Sequence, residues 1–333
     1  DPLGLAQDQR LLLREMACRE KGVILFAGPR GSGKTTTIYS LLSDVARQER
    51  KVITVEDPIE HRSPYAGQQE VGQETGMRTL LRIAIEEEPD VLFLSEIRNP
   101  SSAKACFEYC ESGHLVLSSM NSSNSATAIF RLERMGMSRS TIAENLIGVV
   151  GQRLLNRLCT ECKETRPISP EESSLLEPFT GDVPKNVSHP VGCSSCGGTG
   201  FQGHEGIFEV MGVGPRMSNL IQEGSPISEL REFAQARGDL LAGDHGIRKI
   251  RQMTVTVDEV YRRILIEEGV PLAEEAEDAE GDFGQGFESE AAADVADEPA
   301  DLSILSQAGI LVVEDEEDTL FLLDEILSRA GYR

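Results

Sequence analysis

The chain has 333 residues, of which 39% are apolar, so it is long enough for about two domains with a substantial core. Its formal net charge of −24 argues against a general nucleic-acid-binding surface. The longest uninterrupted apolar run, Val23–Ala27, is far shorter than a membrane-spanning helix.

Between Gly22 and Ser119, short apolar runs alternate with helical patterns. Each run is continuous, which is typical of parallel strands buried on both faces. The helices between them carry apolar residues at i, i+3, i+4 and i+7. The predicted strands are Val23–Ala27, Val52–Val55, Val91–Leu94 and Leu115–Leu117, and the apolar helix faces are Ile38, Leu41, Leu42, Val45 and Ala103, Cys106, Phe107, Cys110. This order predicts an α/β fold with a parallel sheet.

The remainder of the chain is predicted to be mainly helical, followed by an acidic tail. A long helix is predicted from Thr141 to Leu158, and two more at Ile227–Gly238 and Val257–Glu268. Residues 271–301 contain twelve acidic and no basic residues, which predicts a disordered, self-repelling linker. An ordered pattern returns at Ile310, where one apolar strand precedes one helix.

The clearest functional motif is the segment Gly28–Thr35, which fits the pattern G-x-x-x-x-G-K-[ST]. It follows a predicted strand and opens a predicted helix. Its glycines allow backbone N–H groups to face a phosphate, and the helix N-terminus adds positive potential. Lys34 is expected to reach the β- and γ-phosphates, and Thr35 to supply a hydroxyl ligand to Mg²⁺. The motif therefore predicts a nucleotide site.

Two acidic segments follow other predicted strands. Glu96 follows Val91–Leu94, where a parallel sheet would place a carboxylate able to orient or deprotonate an attacking water. Glu56, Asp57 and Glu60 follow the strand Lys51–Val55, and they could hold Mg²⁺ through water or polarise the nucleophile. An ordinary acidic loop fits these three residues equally well.

The seven cysteines are an odd number, which argues against a secreted disulfide scaffold. Four of them form the C-x-x-C pairs Cys159/Cys162 and Cys193/Cys196, separated by thirty residues. Four thiolates would make a closed, structural Zn²⁺ site, since no position stays open for water. Unused thiols or a redox pair are the alternative. The other three are predicted to be small core residues: Cys18, Cys106 and Cys110.

Together these segments resemble the secretion ATPase superfamily, which powers type II secretion, type IV pilus assembly and related systems. Its Walker A loop, Asp box, Walker B segment and His box correspond, in that order, to Gly28–Thr35, Thr54–Glu60, Glu88–Arg98 and Gly113–Asn124. Its Q-R-L motif is matched at Gln152–Leu154. The resemblance covers roughly residues 3–268. It implies a RecA-like P-loop NTPase sheet with a small helical, zinc-binding C-terminal subdomain, and the cysteines favour the assembly and secretion branch.

The resemblance also implies roles for individual residues. The implied catalytic residues are Lys34, Glu56, Glu96 and His114. The implied nucleotide-binding residues are Gly28, Pro29, Arg30, Gly31, Ser32, Gly33, Lys34, Thr35, Thr36, Asp57, Glu60 and Arg98. The implied cofactors are ATP, Mg²⁺ and Zn²⁺. A cytoplasmic homo-oligomer, most simply a hexamer, is implied to work at the inner membrane on a platform protein, without nucleic acid.

Several positions depart from the family pattern, and those that bear on turnover are Ser95, Asn99 and Asn121. Asn121 replaces the second histidine of the His box, and asparagine does not titrate near neutral pH. A nucleotide-binding regulatory scaffold that has lost turnover is therefore the alternative to a motor. A RecA-like nucleic-acid motor is less favoured because the core is acidic and an Asp box is present.

The segment that begins at Ile310 resembles the start of a response-regulator receiver domain, which implies a histidine kinase as a partner. An acidic strand–helix cap is the alternative. The sequence therefore predicts four segments: a RecA-like P-loop ATPase core at 1–158, a tetracysteine zinc-binding and helical subdomain at 159–270, a disordered acidic linker at 271–309, and a truncated, flavodoxin-like receiver domain at 310–333.

Overall fold

The computed structural model describes residues 3–72 and 76–269. The predicted linker and receiver segment lie outside the described residues. The helices are α1 (Gln7–Ala17), α2 (Lys34–Ala46), α3 (Met77–Glu86), α4 (Pro100–Glu111), α5 (Ser125–Arg134), α6 (Arg139–Asn145), α7 (Pro170–Leu176), α8 (Pro215–Glu223), α9 (Ile227–Ala236), α10 (Ala242–Arg251), α11 (Val257–Val260) and α12 (Ile266–Gly269). A π-helical turn, Tyr261–Leu265, joins the last two.

The strands are β1 (Gly22–Ala27), β2 (Val52–Glu56), β3 (Gly67–Glu70), β4 (Val91–Glu96), β5 (Leu115–Met120), β6 (Leu146–Leu158), β7 (Glu164–Pro167), β8 (Asn186–His189) and β9 (Phe201–Gly212). In the described part of the chain, seven of them form one sheet in the order β3-β2-β4-β5-β1-β6-β9. Every neighbouring pair in it is parallel except β6 and β9. The predicted α/β fold with a mainly parallel sheet is confirmed.

The sheet is buried on both faces, which explains the continuous apolar runs. Strand β1 lies between β5 and β6, with Val23 opposite Val116 and Leu25 opposite Val149. Helices α1 and α2 cover one face, where Phe26 and Ile38 are fully buried. The other face packs against α4 and α5, with Phe107 buried there. This arrangement brings the carboxyl ends of β1, β2, β4 and β5 to one edge of the sheet.

The predicted helix Thr141–Leu158 is wrong over most of its length. Helix α6 ends at Asn145, and the next 13 residues form β6. A short apolar run can belong to a buried strand or to a buried helix, and its period does not distinguish them. The strand is favoured here because β1 and β9 satisfy its backbone groups on both sides. A Cβ at Gly148 would lie 2.1 Å from the sulfur of Met16, so a larger residue here would displace that side chain.

The part of the chain after residue 158 is not purely helical. Strand β9 completes the main sheet beside β6, so this sheet uses residues from both sides of the predicted boundary at 158. Strands β7 and β8 form a separate antiparallel pair. A third apolar cluster, which includes Leu155, Val187 and Val257, packs this region together. The two predicted helices at Ile227 and Val257 are present, the second with a π-helical turn inside it.

The three cysteines outside the C-x-x-C pairs differ in burial. Cys106 and Cys110 are buried on α4, as predicted. The prediction that Cys18 lies in the core is wrong, because this residue is exposed. It caps the C-terminus of α1, one position beyond the last turn, where the apolar stripe of the helix has ended.

Candidate functional site

The phosphate-loop motif forms the turn between β1 and α2. Gly31 and Gly33 have φ angles of 74° and 83°, which L side chains rarely adopt. The loop packs closely against β6: a Cβ on Gly33 would lie 2.8 Å from Nε2 of Gln152, and one on Gly28 would lie 2.4 Å from the oxygen of Gln152. A Cβ on Gly31 would meet no atom within 4 Å, so the loop is open on its other side. This geometry suits a backbone cradle for phosphates.

The side chain of Lys34 lies over this loop. Its Nζ donates hydrogen bonds of 2.8 Å to the oxygen of Gly28 and 2.9 Å to that of Pro29. Burial lowers the pKa of Lys34, and the nearby carboxylates of Glu96 and Glu60 act in the opposite direction. The ammonium group therefore stands at the N-terminus of α2 with two carboxylates close to it, an arrangement that can hold a phosphate chain and its metal ion.

The remaining loop residues surround the same point. Ser32 is buried, and its Oγ has no hydrogen-bond partner among the described residues. Arg30 and Thr36 are exposed, while Thr35 is half-buried in the first turn of α2. An unpartnered buried hydroxyl, a free helix N-terminus and a first-turn threonine fit a nucleotide triphosphate and Mg²⁺.

Strand β4 carries Glu96 to the carboxyl edge of the sheet, as its position after an apolar run predicts. The Nε of Arg98 donates to Oε2 of Glu96 at 3.1 Å, and Nη1 of Arg98 lies 3.5 Å from Oδ2 of Asp57. Arg98 thus joins the Walker B segment to the Asp box. The side chain of Glu96 is 23% exposed, so it remains accessible to water while its orientation is held.

Glu56 occupies a different environment from the other acids. It is 2% exposed, and its Oε1 accepts hydrogen bonds from Tyr39 at 2.5 Å and from Thr54 at 2.6 Å. Burial and the bond to Glu56 raise the pKa of the Tyr39 hydroxyl. Of these acids, Glu60 and Glu96 act electrostatically on Lys34. Glu56 is instead held by its hydrogen bonds to Tyr39 and Thr54.

His114, which the family resemblance implies to be catalytic, lies away from the phosphate loop. It precedes β5, whose first residue, Leu115, lies opposite Gly22 at the start of β1. The phosphate loop follows Ala27, at the other end of the strand, about 17–20 Å away at roughly 3.3 Å per residue. The ring of His114 stacks on Tyr109 with centroids 4.5 Å apart, and its Nδ1 is 3.0 Å from Oγ of Ser112. These contacts hold the ring at the start of β5.

Asn121 is the His-box residue that follows β5 at the edge of the phosphate loop. The preceding residue, Met120, accepts a 3.2 Å hydrogen bond from the N–H of Gly28. The backbone oxygen of Asn121 accepts a 2.8 Å bond from Nη1 of Arg131. The departure from the family pattern therefore lies beside the phosphates, whereas the histidine that is retained does not.

Two residues beside the loop, Gln152 and Arg153, were not predicted as site residues. Strand β6 places Gln152 under the glycines of the loop and Arg153 near Lys34, whose pKa Arg153 lowers. Nη2 of Arg153 donates to the oxygen of Ser123 at 2.7 Å. The Q-R-L motif was visible in the sequence. Its position in a predicted helix concealed the fact that it pairs with the strand before the phosphate loop.

The four paired cysteines converge on one point. Their Sγ atoms all lie within 4.8 Å of one another. The two pairs approach each other at 3.9 Å between Cys159 and Cys193 and at 3.8 Å between Cys162 and Cys196. Four sulfurs bound to Zn²⁺ at about 2.3 Å in a tetrahedron would be about 3.8 Å apart. The spacing therefore fits a closed four-thiolate metal site.

Backbone N–H groups support this cluster. Those of Cys193 and Gly200 each lie 3.2 Å from the sulfur of Cys196. These bonds lower the pKa of the Cys196 thiol to about 6, which favours the thiolate that a metal requires. Gly192, Gly197 and Gly198 have positive φ angles in the turns around the cluster. A Cβ at Gly192 would lie 2.5 Å from the oxygen of Gly198, so these turns depend on glycine.

Comparison with known proteins connects this geometry to one family. Residues 1–262 match the sequence profile of the type II/IV secretion system protein family. The type IV pilus assembly ATPase PilB of Thermus thermophilus is 32% identical over 269 residues, which are 80% of this chain and 30% of that protein. The type II secretion system protein E of Pseudomonas aeruginosa is 34% identical over 262 residues, 78% of this chain and 52% of that protein.

The fold also has a solved counterpart. The crystal structure of the pilus retraction motor PilT with bound ADP matches with a TM-score of 0.58 and 24% identity, covering 79% of this chain and 65% of that one. At this identity the likeness concerns the fold alone. The chain spans between about a third and a half of the length of the two curated relatives above. Among the described residues, no helix is long and apolar enough to cross a membrane.

Proposed function

The chain belongs to the type II/IV secretion system protein family, and we propose that it is an ATP-hydrolysing motor that drives protein secretion or type IV pilus assembly. The observation that carries this proposal is the position of Lys34 over the phosphate loop, with Glu96 and Glu60 acting on it. The PilB relative is named as an assembly ATPase, which supports the same activity here.

In this proposal the phosphates bind along the loop from Gly28 to Thr35, where the backbone N–H groups and the ammonium group of Lys34 neutralise the phosphate charge. Thr35 would hold Mg²⁺ through its hydroxyl, and Asp57 and Glu60 would hold it through water. Glu96 orients the attacking water and takes its proton. Arg98 keeps Glu96 in place through the 3.1 Å bond at its Nε.

The departures from the family pattern do not remove these elements. Asn99 is the N-cap of α4, and its side chain accepts a 2.9 Å bond from the N–H of Ser102. Asparagine and aspartate both cap helices well, so this exchange preserves the local structure. Ser95 contacts strand β5 through its backbone oxygen, which accepts a hydrogen bond from the hydroxyl of Ser118. A motor is therefore favoured over a scaffold that has lost turnover.

We propose further that Cys159, Cys162, Cys193 and Cys196 bind one structural Zn²⁺, and that the chain acts as a homo-oligomer, most simply a hexamer, on a platform protein at the cytoplasmic face of the inner membrane. The four-sulfur convergence supports the metal. Membership of the family supports the assembly and the partner. The division into an ATPase core and a cysteine-containing subdomain belongs to the same proposal.

The decisive experiment measures ATP binding and turnover of the purified chain with Mg²⁺. The wild-type chain is expected to hydrolyse ATP, and Lys34→Ala to lose nucleotide binding while remaining folded. Lys104→Ala is the matched control, since Lys104 lies on the surface of α4, where it pairs with the exposed Glu108 at 3.5 Å. Normal turnover in Lys34→Ala would refute the site. A nucleotide-bound wild type without turnover would support a scaffold, and stimulation by DNA a nucleic-acid motor.

A further inference from the structure

A polar cluster behind the acidic residues links α2 to the loop that carries Asp57 and Glu60. Thr54 and Glu56 are two residues apart on β2, so both face the same side of the sheet as α2. Gln68 lies directly opposite Thr54 on β3. Tyr39 approaches from the second turn of α2 and donates to Glu56. Three elements therefore meet at one buried carboxylate.

Gln68 holds the orientation of this cluster. Its Nε2 donates to the hydroxyl of Tyr39 at 2.7 Å, to the oxygen of His61 at 2.8 Å and, more weakly, to Glu56 at 3.2 Å. Its Oε1 accepts from the N–H of Ser63 at 2.8 Å. Acceptors face the amide nitrogen and a donor faces the amide oxygen, so the side chain has one favourable orientation.

The same contacts fix the loop between β2 and β3. Gln68 binds it at His61 and Ser63, and the ring of His61 stands edge-on to that of Tyr39, with centroids 5.8 Å apart. Glu60, the residue before His61, acts electrostatically on both Lys34 and Tyr39. The position of Glu60 therefore depends on the hydroxyl of Tyr39 and the amide of Gln68, although neither group reaches the phosphate site itself.

We propose that Tyr39 and Gln68 are positioning residues of the proposed ATP hydrolysis, which hold Glu56 and the Glu60 loop against the first helix after the phosphate loop. The inference rests on the proposed function. Tyr39 and Thr54 both donate to Oε1 of Glu56, so this buried carboxylate anchors the end of β2, from which the Glu60 loop continues. Small displacements of such groups cost a large part of the rate, because reacting groups must be held in line.

The test compares Tyr39→Phe and Gln68→Met with wild type under saturating Mg²⁺ and ATP. Tyr39→Phe keeps the ring that contacts Phe93, with centroids 6.1 Å apart, and removes only the hydroxyl. We expect kcat to fall about 10- to 100-fold, while the Kd for ATP stays within about threefold because the phosphate loop is untouched.

Tyr109→Phe is the matched control. Its hydroxyl is also in a buried environment and donates to the oxygen of Pro89 at 3.2 Å, away from the acidic loop. Its kcat and its Kd for ATP should stay within about twofold of wild type. Gln68→Glu removes the amide donor to Tyr39 and His61 and should lower kcat at least as much as Gln68→Met does.

Two results would overturn the inference while the proposed function stands. One is an unchanged kcat in Tyr39→Phe. The other is a weaker affinity for ATP and a lower melting temperature that together account for the whole loss of rate. A wild-type chain that binds ATP without turnover would instead refute the proposed function, and the positioning role with it.

Discussion

The guanidinium group of Arg153 is bound to the carboxylate of Glu267, with 2.5 Å between Nη2 and Oε2, across 114 positions of sequence. Arg153 follows Gln152, which packs under the phosphate loop. Glu267 lies on α12, the last helix that the structure describes. The end of the described chain is therefore tied to the residues beneath the nucleotide site.

This pair predicts that Glu267→Gln tightens nucleotide binding. Arg153 already lowers the pKa of Lys34, so removing its counter-charge makes the phosphate site more positive. The Kd for ATP should fall about two- to fivefold, the range expected for a partly exposed ion pair. Equilibrium titration with a fluorescent ATP analogue measures it. Asp258→Asn is the control, because it breaks an exposed pair with Arg262 on the adjoining turn. Equal Kd values in both variants would contradict the prediction.

Glu96→Gln should retain ATP binding and slow hydrolysis by about 10²- to 10⁴-fold, the usual effect of losing a positioned base. The substitution keeps the side-chain volume and the partner Arg98. Single-turnover kinetics with pre-bound ATP separate binding from hydrolysis. Glu108→Gln on the exposed face of α4 serves as the control. If Glu96→Gln hydrolyses ATP normally, the water is activated elsewhere, and Glu60 becomes the first candidate.

The four-cysteine cluster should contain one Zn²⁺ per chain, with Zn–S distances of about 2.3 Å by X-ray absorption. Cys196→Ser should lose the metal and lower the melting temperature, because the turns around the site are then held by fewer contacts. Cys18→Ser should change neither, since Cys18 is exposed and distant in sequence from the cluster. A disulfide within either C-x-x-C pair in the purified protein would favour the redox alternative.

His245 should make the stability of the chain dependent on pH. It is 1% exposed, and its Nδ1 accepts a 2.9 Å bond from the N–H of Phe208. Burial, with Lys249 and Arg248 nearby, lowers its pKa to about 4, while the backbone of Phe208 and, to a smaller extent, Asp8 act in the opposite direction. Below about pH 6.5 the unfolded chain binds a proton that the folded chain does not, so stability is lost as pH falls from 6.5 toward 4.

The expected slope from this group is about 1.4 kcal/mol per pH unit in that window. Urea unfolding at pH 7, 6 and 5 measures it. His245→Asn, whose amide oxygen can accept the same backbone bond, should flatten the dependence. His204→Asn is the control, because His204 is exposed. Parallel curves for wild type and His245→Asn would refute the prediction.

Much of the fold was predictable because the relevant patterns are local. Strands β1, β2, β4 and β5 are continuous apolar runs, and each is followed by a turn or a helix with a clear stripe. Strand β6 was missed because its apolar run and two glycines are compatible with either helix or strand. Pairing with β1 and β9 decides the outcome, and those partners are distant in sequence.

The sequence by itself determined the phosphate loop and the two cysteine pairs. In both, the chemistry depends on residues a few positions apart, so spacing alone carries the information. The tertiary structure decided which acids lie beside Lys34, because parallel pairing sets which strand ends are neighbours. It placed His114 at the opposite end of β5, buried Glu56 behind Tyr39, and brought Arg153 to the site from a strand over a hundred residues away. Register and packing between distant segments have no local signature, so only the folded chain shows them.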